Sequence, residues 1–491
     1  MKKITIVAPE KLGTINPEIY GHFSEHIGGV FYGGLWVGKD SEIPNEKGFR
    51  KDALDALRKI KPAVLRWPGG CFAETYNWRD GIGKNRPVRP NWWTAWDGRY
   101  ESNEVGTHEF FDLCELIGAK AYLAINVTSI TPLQARDWLD YCLSPKGTTT
   151  LALEREANGH PEPFEIPYVG IGNENWGDGG NMTADYYALE YRRFATVLKN
   201  LCKGAKASTT FVVGGANGAS YDWTHGLAAN LRNARSTPLE AMSLHYYCSF
   251  GGTCGEAVNF SADQWYKQLE NAEKMQDIVE RHYAITKGYS LENKLGKLVI
   301  DEWGCWHPEG SGPTKGYNLF EQQSTMRDAL VTALTFNIFN MHCDKVLMSN
   351  AAQVCNNLHC CLLINGQHCI TTPTYHVFDM YKEHQGATAL RTLVSENDDI
   401  KTRLSVSASE KNGQITVSVA NYSCEKAAKF KLELLGANGK ITKATLLCSE
   451  NMNDHNTADE PGKVVPVSIE LDIKKTITIP KHSIVSIEIQ I

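Results

Sequence analysis

Short apolar runs that break into polar, glycine-rich sequence recur eight times along the first 385 residues. They cover 19–25, 63–68, 119–127, 168–174, 211–215, 241–247, 298–303 and 345–353. Continuous apolar runs of this length read as strands buried on both faces, as in a parallel sheet. Between several of them, residues 52–60, 109–117, 184–199, 263–283 and 322–339 carry apolar side chains at helical spacing. Strand–helix alternation repeated eight times predicts an α/β fold, a (β/α)8 TIM barrel. An open doubly wound sheet is the alternative. It calls for a Gly-x-Gly-x-x-Gly turn after the first strand, which this chain lacks, and for fewer strands.

The texture changes near residue 386. Residues 403–409, 414–420, 429–434, 467–473, 476–479 and 484–489 alternate apolar and polar with period two. Turns such as Asn412-Gly413 and Asn438-Gly439 separate some of them. This pattern predicts an antiparallel β-sandwich over 386–491. The alternating stretch 3–8 reads as one more strand of that sandwich. The expected organisation is therefore 1–15 joining the sandwich, 16–385 as the barrel, and 386–491 as the sandwich itself.

Composition narrows the class. Of 491 residues, 42% are apolar and 22% charged, with a formal net charge of −6 and no basic block. That excludes an electrostatic nucleic-acid binder. Many of the 12 Trp and 20 Tyr fall in glycine-rich loops, where flat rings suit the C–H faces of sugars. The N-terminal apolar stretch is too short for a signal sequence, and no run could span a membrane, so the cytoplasm is expected. In a reducing compartment most of the 14 Cys are free thiols. Cys71, Cys248, Cys254, Cys305 and Cys355 fall near strand ends, where they would ring the barrel mouth. A Cys248–Cys254 disulfide would require oxidising surroundings. The group Cys343, Cys355, His359, Cys360, Cys361, His368 and Cys369 has no standard metal-binding spacing, so buried small hydrophobes are expected there rather than a metal.

Residues at the C-terminal ends of barrel strands face a common mouth. Two acids end such runs: Glu174 in Gly172-Asn-Glu-Asn-Trp176, and Glu302 in Asp301-Glu-Trp303. A carboxyl pair can perform acid/base and nucleophilic work on one glycosidic bond. Strand parity alone does not choose between Asp301 and Glu302; the analogous placement of Glu174 favours Glu302, with Asp301 structural. Arg66, near the end of the second strand, is the candidate cation that keeps the nucleophile ionised. The charged nucleophile would in turn hold Glu174 protonated until it donates. Asn173 could bond a sugar hydroxyl, and Trp176 could pack on the sugar. Glu25 and Gln353 could bind hydroxyls. Tyr247 could donate to the nucleophile, and His245 could orient an acid.

Taken together, Gly21-His-Phe-Ser-Glu-His26, Leu65-Arg-Trp-Pro-Gly-Gly70, Tyr76-Asn-Trp-Arg-Asp-Gly81, Gly172-Asn-Glu-Asn-Trp176, Ser243-Leu-His-Tyr-Tyr247, Asp301-Glu-Trp303 and Asn350-Ala-Ala-Gln353 resemble glycoside hydrolase family 51, the α-L-arabinofuranosidases of clan A. The resemblance implies Glu174 as acid/base and Glu302 as nucleophile. It implies substrate contacts from Glu25, Asn173, Tyr247 and Gln353, and it matches His245 to a family histidine near the acid/base. Where some members carry a sugar-binding Asn, this chain has Cys71, as other members do. A family aromatic matches Trp93 or Trp96.

The implied reaction is retaining, exo-acting hydrolysis of terminal α-L-arabinofuranosyl residues from arabinan, arabinoxylan or their oligosaccharides, with no cofactor. It carries an expected carboxyl separation of roughly 5–5.5 Å. Family members are often homo-oligomers. The rival readings are a β-xylosidase or endo-β-glucanase on the same machinery, a non-catalytic carbohydrate-binding protein, and a zinc- or thiol-dependent hydrolase.

Overall fold

The computed structural model describes residues 2–93, 100–205, 208–235, 237–289, 296–308, 310–315, 318–395 and 403–491. Eight strands form a closed parallel barrel: β1 (Gly21–Phe23), β2 (Val64–Trp67), β3 (Lys120–Ile125), β4 (Tyr168–Ile171), β5 (Thr210–Asn217), β6 (Ala241–Tyr247), β7 (Lys297–Gly304) and β8 (Val346–Ala352). They follow one another in chain order around the barrel. β2 and β4 are buried along their whole length, which is why their sequence reads as unbroken apolar runs rather than alternation.

The helices obey local rules. Lys51–Ile60 buries Ala53, Leu54, Leu57 and Ile60 on one face and ends at Lys61 in the left-handed conformation. Pro132–Leu143 starts on a Thr131/Gln134 capping box. No helix among the described residues is long and apolar enough to cross a membrane.

The C-terminal strands build a nine-stranded sheet. Its order is Val467–Ser468, Lys440–Cys448, Ser483–Gln490, Gln414–Asn421, Leu404–Lys411, Thr388–Val394, Lys2–Thr14, Ala428–Leu435, Ile477–Ile479. Its core includes Ile4, Ile6, Val417, Val419, Phe430, Val485 and Ile487. The N-terminal strand pairs antiparallel with Thr388–Val394 on one side and parallel with Ala428–Leu435 on the other.

By compactness the chain divides into two units. One comprises Met1–Tyr20, Tyr247–Val279 and Trp303–Ile491; the other comprises Gly21–Tyr246 and Glu280–Glu302. Both candidate acids lie in the second.

Candidate active site

Glu174 does not sit on a strand. β4 stops at Ile171, Gly172 follows at φ 87°, and Glu174 itself is held at φ 43°. A Cβ on Gly172 would lie 2.3 Å from Asn175 Oδ1, so the turn requires glycine for space as well as for its dihedral. A left-handed glutamate is strained and needs outside support. Glu74 supplies it. This buried carboxylate accepts the backbone N–H groups of Asn173 (2.6 Å), Val127 (2.7 Å) and Thr128 (2.8 Å), and the Asn175 amide (3.3 Å). It ties the end of β3 to the turn that carries the acid. Nothing in the sequence reading pointed to Glu74; its nearness to the Pro68-Gly69-Gly70 turn was the one available signal.

Glu302, in β7, is buried. Arg66 donates to its Oε1 at 2.8 Å and, from the other guanidinium nitrogen, to Asn173 Oδ1 at 2.6 Å. Asp301 lies beneath. Its Oδ2 accepts from Tyr122 Oη at 2.8 Å and lies 3.6 Å from Arg66 Nε. Its Oδ1 lies 3.2 Å from His245 Nε2. The opposite face of that imidazole meets both acids: Nδ1 is 2.7 Å from Glu174 Oε1 and 3.5 Å from Glu302 Oε2. His245, Glu174 and Glu302 thus converge, each with one polar atom within 4.8 Å of the others.

The electrostatics follow from burial set against pairing. Burial alone would neutralise His245, but Glu302, Asp301 and the bond to Glu174 outweigh it and push it up to about 10, so it is an imidazolium at neutral pH. Burial pushes Glu302 above the ordinary carboxylate value; His245 pulls it back, Glu174 adds to the rise, and Arg66 opposes it. Arg66, the cation expected beside the nucleophile, is in place, and His245 joins it in opposing the effect of burial on Glu302. An imidazolium repels cations, so this trio is a poor metal site despite its spacing.

Glu25 lies just past β1. Its Oε1 accepts from Phe72 N at 2.9 Å and Trp93 Nε1 at 3.1 Å. Burial and the neighbouring Glu302 raise it to about 7. The two glycines of the Pro-Gly-Gly turn are spacers for the carboxylates. A Cβ on Gly69 would lie 2.7 Å from Glu25 Cγ, and one on Gly70 would lie 2.8 Å from Glu302 Oε1. Cys71 follows, with its Sγ 3.9 Å from Glu174 Oε2. Trp176 is half-buried and donates to Gly215 O at 3.2 Å.

Of the two aromatic candidates, Trp93 is the one that touches Glu25, and Trp96 lies outside the described residues. Tyr247 and Gln353 belong to the first unit. There the Tyr247 ring lies edge-on 5.2 Å from Trp306, and Gln353 is buried, donating its backbone N–H to Asn357 O. Cys248, Cys254 and Cys305 are buried free thiols of that unit, and Cys248 Sγ faces Cys305 (3.9 Å). A Cys248–Cys254 disulfide is not formed.

A closed parallel barrel with two converging acids, one in a strand and one in the turn after a strand, joined to a β-sandwich, defines a barrel glycoside hydrolase. Comparison with known proteins narrows this. A model of the α-L-arabinofuranosidase 1 domain matches residues 56–250, and one of the α-L-arabinofuranosidase C-terminal domain matches residues 301–483. An intracellular exo-α-L-arabinofuranosidase of Bacteroides ovatus is 37% identical over 99% of this chain and 95% of its own. The crystal structure of the GH51 arabinofuranosidase from Xanthomonas axonopodis pv. citri superposes with a TM-score of 0.90 at 34% identity over the whole of both chains. That of the Thermotoga maritima α-L-arabinofuranosidase in complex with arabinose gives 0.86 at 27%, again over both whole chains. The chain belongs to the α-L-arabinofuranosidase family of GH51.

Proposed function

We propose that this enzyme removes terminal α-L-arabinofuranosyl residues from arabinan, arabinoxylan or derived oligosaccharides by double displacement, with Glu302 as nucleophile and Glu174 as acid/base. One observation carries the reading: oxygens of the two carboxyl groups lie within 4.8 Å of each other. So close an approach favours a retaining pair, whose carboxyl groups stand roughly 5–5.5 Å apart, over an inverting pair at roughly 6.5–9.5 Å.

In the first step a Glu302 oxygen bonds to the anomeric carbon as the glycosidic C–O bond breaks. Glu174 passes its proton to the departing oxygen. In the second step Glu174, now a carboxylate, takes a proton from water, whose oxygen opens the ester and releases Glu302. His245 Nδ1 stands 2.7 Å from Glu174 and 3.5 Å from Glu302, so one ring touches both partners of the exchange. Glu25 and Asn173 serve as hydroxyl contacts with Cys71 beside them, and the family resemblance gives Tyr247 and Gln353 the role of hydroxyl contacts as well. The name of the Bacteroides relative supports a cytoplasmic setting, and a homo-oligomer is the expected state.

The deciding experiment is inactivation with a slow 2-fluoro or aziridine-type arabinofuranosyl reagent, followed by peptide mapping. A label on Glu302 is the expected result. A label on Asp301 or Glu25, or turnover of xylosides well above arabinofuranosides, overturns the assignment.

A further inference from the structure

Within the first unit, three side chains of metal-binding type converge. Cys305 Sγ, one oxygen of Asp328 and one ring nitrogen of His359 lie within 4.8 Å of one another, all three residues buried. The hydrogen bonds around them fix their chemical states. Thr332 Oγ1 donates its only proton to the Asp328 carbonyl at 2.9 Å. It therefore accepts at its other contact, 2.8 Å from His359 Nε2, which places the ring proton on Nε2. His359 Nδ1 is left as a bare lone pair with no hydrogen-bond partner among the described residues. A buried ring nitrogen without a partner is uncommon, and a tautomer fixed by an outer hydrogen bond is the usual state of a metal-bound histidine.

Asp328 is oriented in the same way. Its Oδ2 accepts from Thr325 N and Oγ1, and its Oδ1 accepts from His307 Nε2 at 2.9 Å. Gln268 Nε2 donates to Cys305 Sγ at 3.1 Å. Cys248 Sγ stands 3.9 Å from Cys305 Sγ.

We propose that Cys305, Asp328 and His359 bind a zinc-class divalent cation, as a site of their own apart from Glu174 and Glu302. Cysteine sulfur, histidine nitrogen and carboxylate oxygen are the donors that zinc takes. The Cys305 thiol releases its proton to solvent as its S–metal bond forms, so binding strengthens with rising pH.

The test uses the full chain, reduced and stripped with a chelator, titrated with Co2+ and then Zn2+. The expected result is one Co2+ per chain with a thiolate-to-cobalt charge-transfer band in the near ultraviolet, displacement by Zn2+, and a higher melting temperature with Zn2+. Cys305→Ser and His359→Gln should each weaken binding at least about tenfold, whereas Glu174→Gln and Glu302→Gln should leave it unchanged. Because the ligands are buried, near-ultraviolet circular dichroism checks that each variant folds. The wild-type spectrum decides even if none does. No bound Co2+ at about tenfold molar excess, or a spectrum without the thiolate band, overturns the proposal. Binding abolished by Glu302→Gln overturns it as well, since the ion would then sit on the acid pair.

Discussion

Arg66 reaches Glu302 with one guanidinium nitrogen and Asn173 with the other, at 2.8 and 2.6 Å. One cation therefore sets the positions of both the proposed nucleophile and the residue next to the acid. Arg66 is itself buried, over the Phe23 ring at 4.6 Å, and so cannot turn away. Replacing it by Met leaves Asp301 and Glu302 buried with His245 as their remaining cation. Losses of that kind run to about 3–5 kcal/mol. Urea unfolding of Arg66→Met at pH 7 should show such a loss, and Arg66→Lys should recover only part of it, because Lys cannot bond two acceptors in a fork. A loss below about 1 kcal/mol for Met would mean the guanidinium is not the site's organising charge.

Gly70 tests the geometry without removing a functional group. An added methyl would press within 2.8 Å of Glu302 Oε1 and 3.3 Å of Asn173 Nδ2. The carboxylate must shift, and misplacement by about 1 Å can slow chemistry roughly a hundredfold. Gly70→Ala should therefore lower kcat on an aryl arabinofuranoside about a hundredfold, with a small change in melting temperature. Unaltered kcat would mean that Glu302 reaches the anomeric carbon from elsewhere.

Glu25 links function to pH-dependent stability. Its folded value of about 7 stands above the ordinary 4.5. Over the window from about 4.5 to 7 the folded chain keeps a proton that the unfolded chain has lost, so stability from this group falls as pH rises. Its contribution is fully present below about 4.5 and gone above about 7. Glu25→Gln removes that dependence. Relative to wild type, the variant should gain on the order of 3 kcal/mol between pH 4 and pH 8, read from denaturation at both pH values. Its kcat/KM should nonetheless drop roughly ten- to a hundredfold, through loss of a charged hydroxyl acceptor. A difference independent of pH would place the ionisation elsewhere.

The sequence revealed those features whose signal is local. β2, β4 and β7 were legible because strands buried on both faces are written as unbroken apolar runs, and Glu174, Glu302 and Arg66 were legible because they interrupt those runs. The turn that holds Glu174 was not legible as a turn. Gly172 looked like one more strand residue until its dihedral was known. Asp301 and Glu302 could not be separated by parity because both point at polar partners, one beneath the site and one into it. The triad Cys305, Asp328 and His359 was invisible for a different reason: its ligands are about twenty to thirty residues apart, without the paired spacing that marks a zinc motif. Along the chain His359 stands beside Cys355, Cys360 and Cys361, whereas in space it stands beside Cys305 and Asp328.

Glu74 is the residue whose importance only the structure brings out, and it yields the sharpest separation of positioning from chemistry. It touches neither Glu174's carboxyl nor Glu302. It acts by gathering three backbone N–H groups and one amide from two segments, which fixes a turn that would otherwise relax out of its left-handed glutamate. Glutamine has the same shape but would aim an N–H2 at donors, so at least one buried N–H would lose its acceptor. Such orphaned donors cost about 1–3 kcal/mol each. Glu74→Gln should therefore destabilise the fold by about that amount. It should lower kcat more than it raises KM, because the acid is misplaced while the sugar contacts of Glu25 stay intact. An aryl arabinofuranoside with a good leaving group should be hydrolysed nearly normally in its first step, since it needs little proton donation, while one with a poor leaving group should slow markedly. Equal slowing of both substrates would mean that Glu74 supports the barrel in general and not the acid's position.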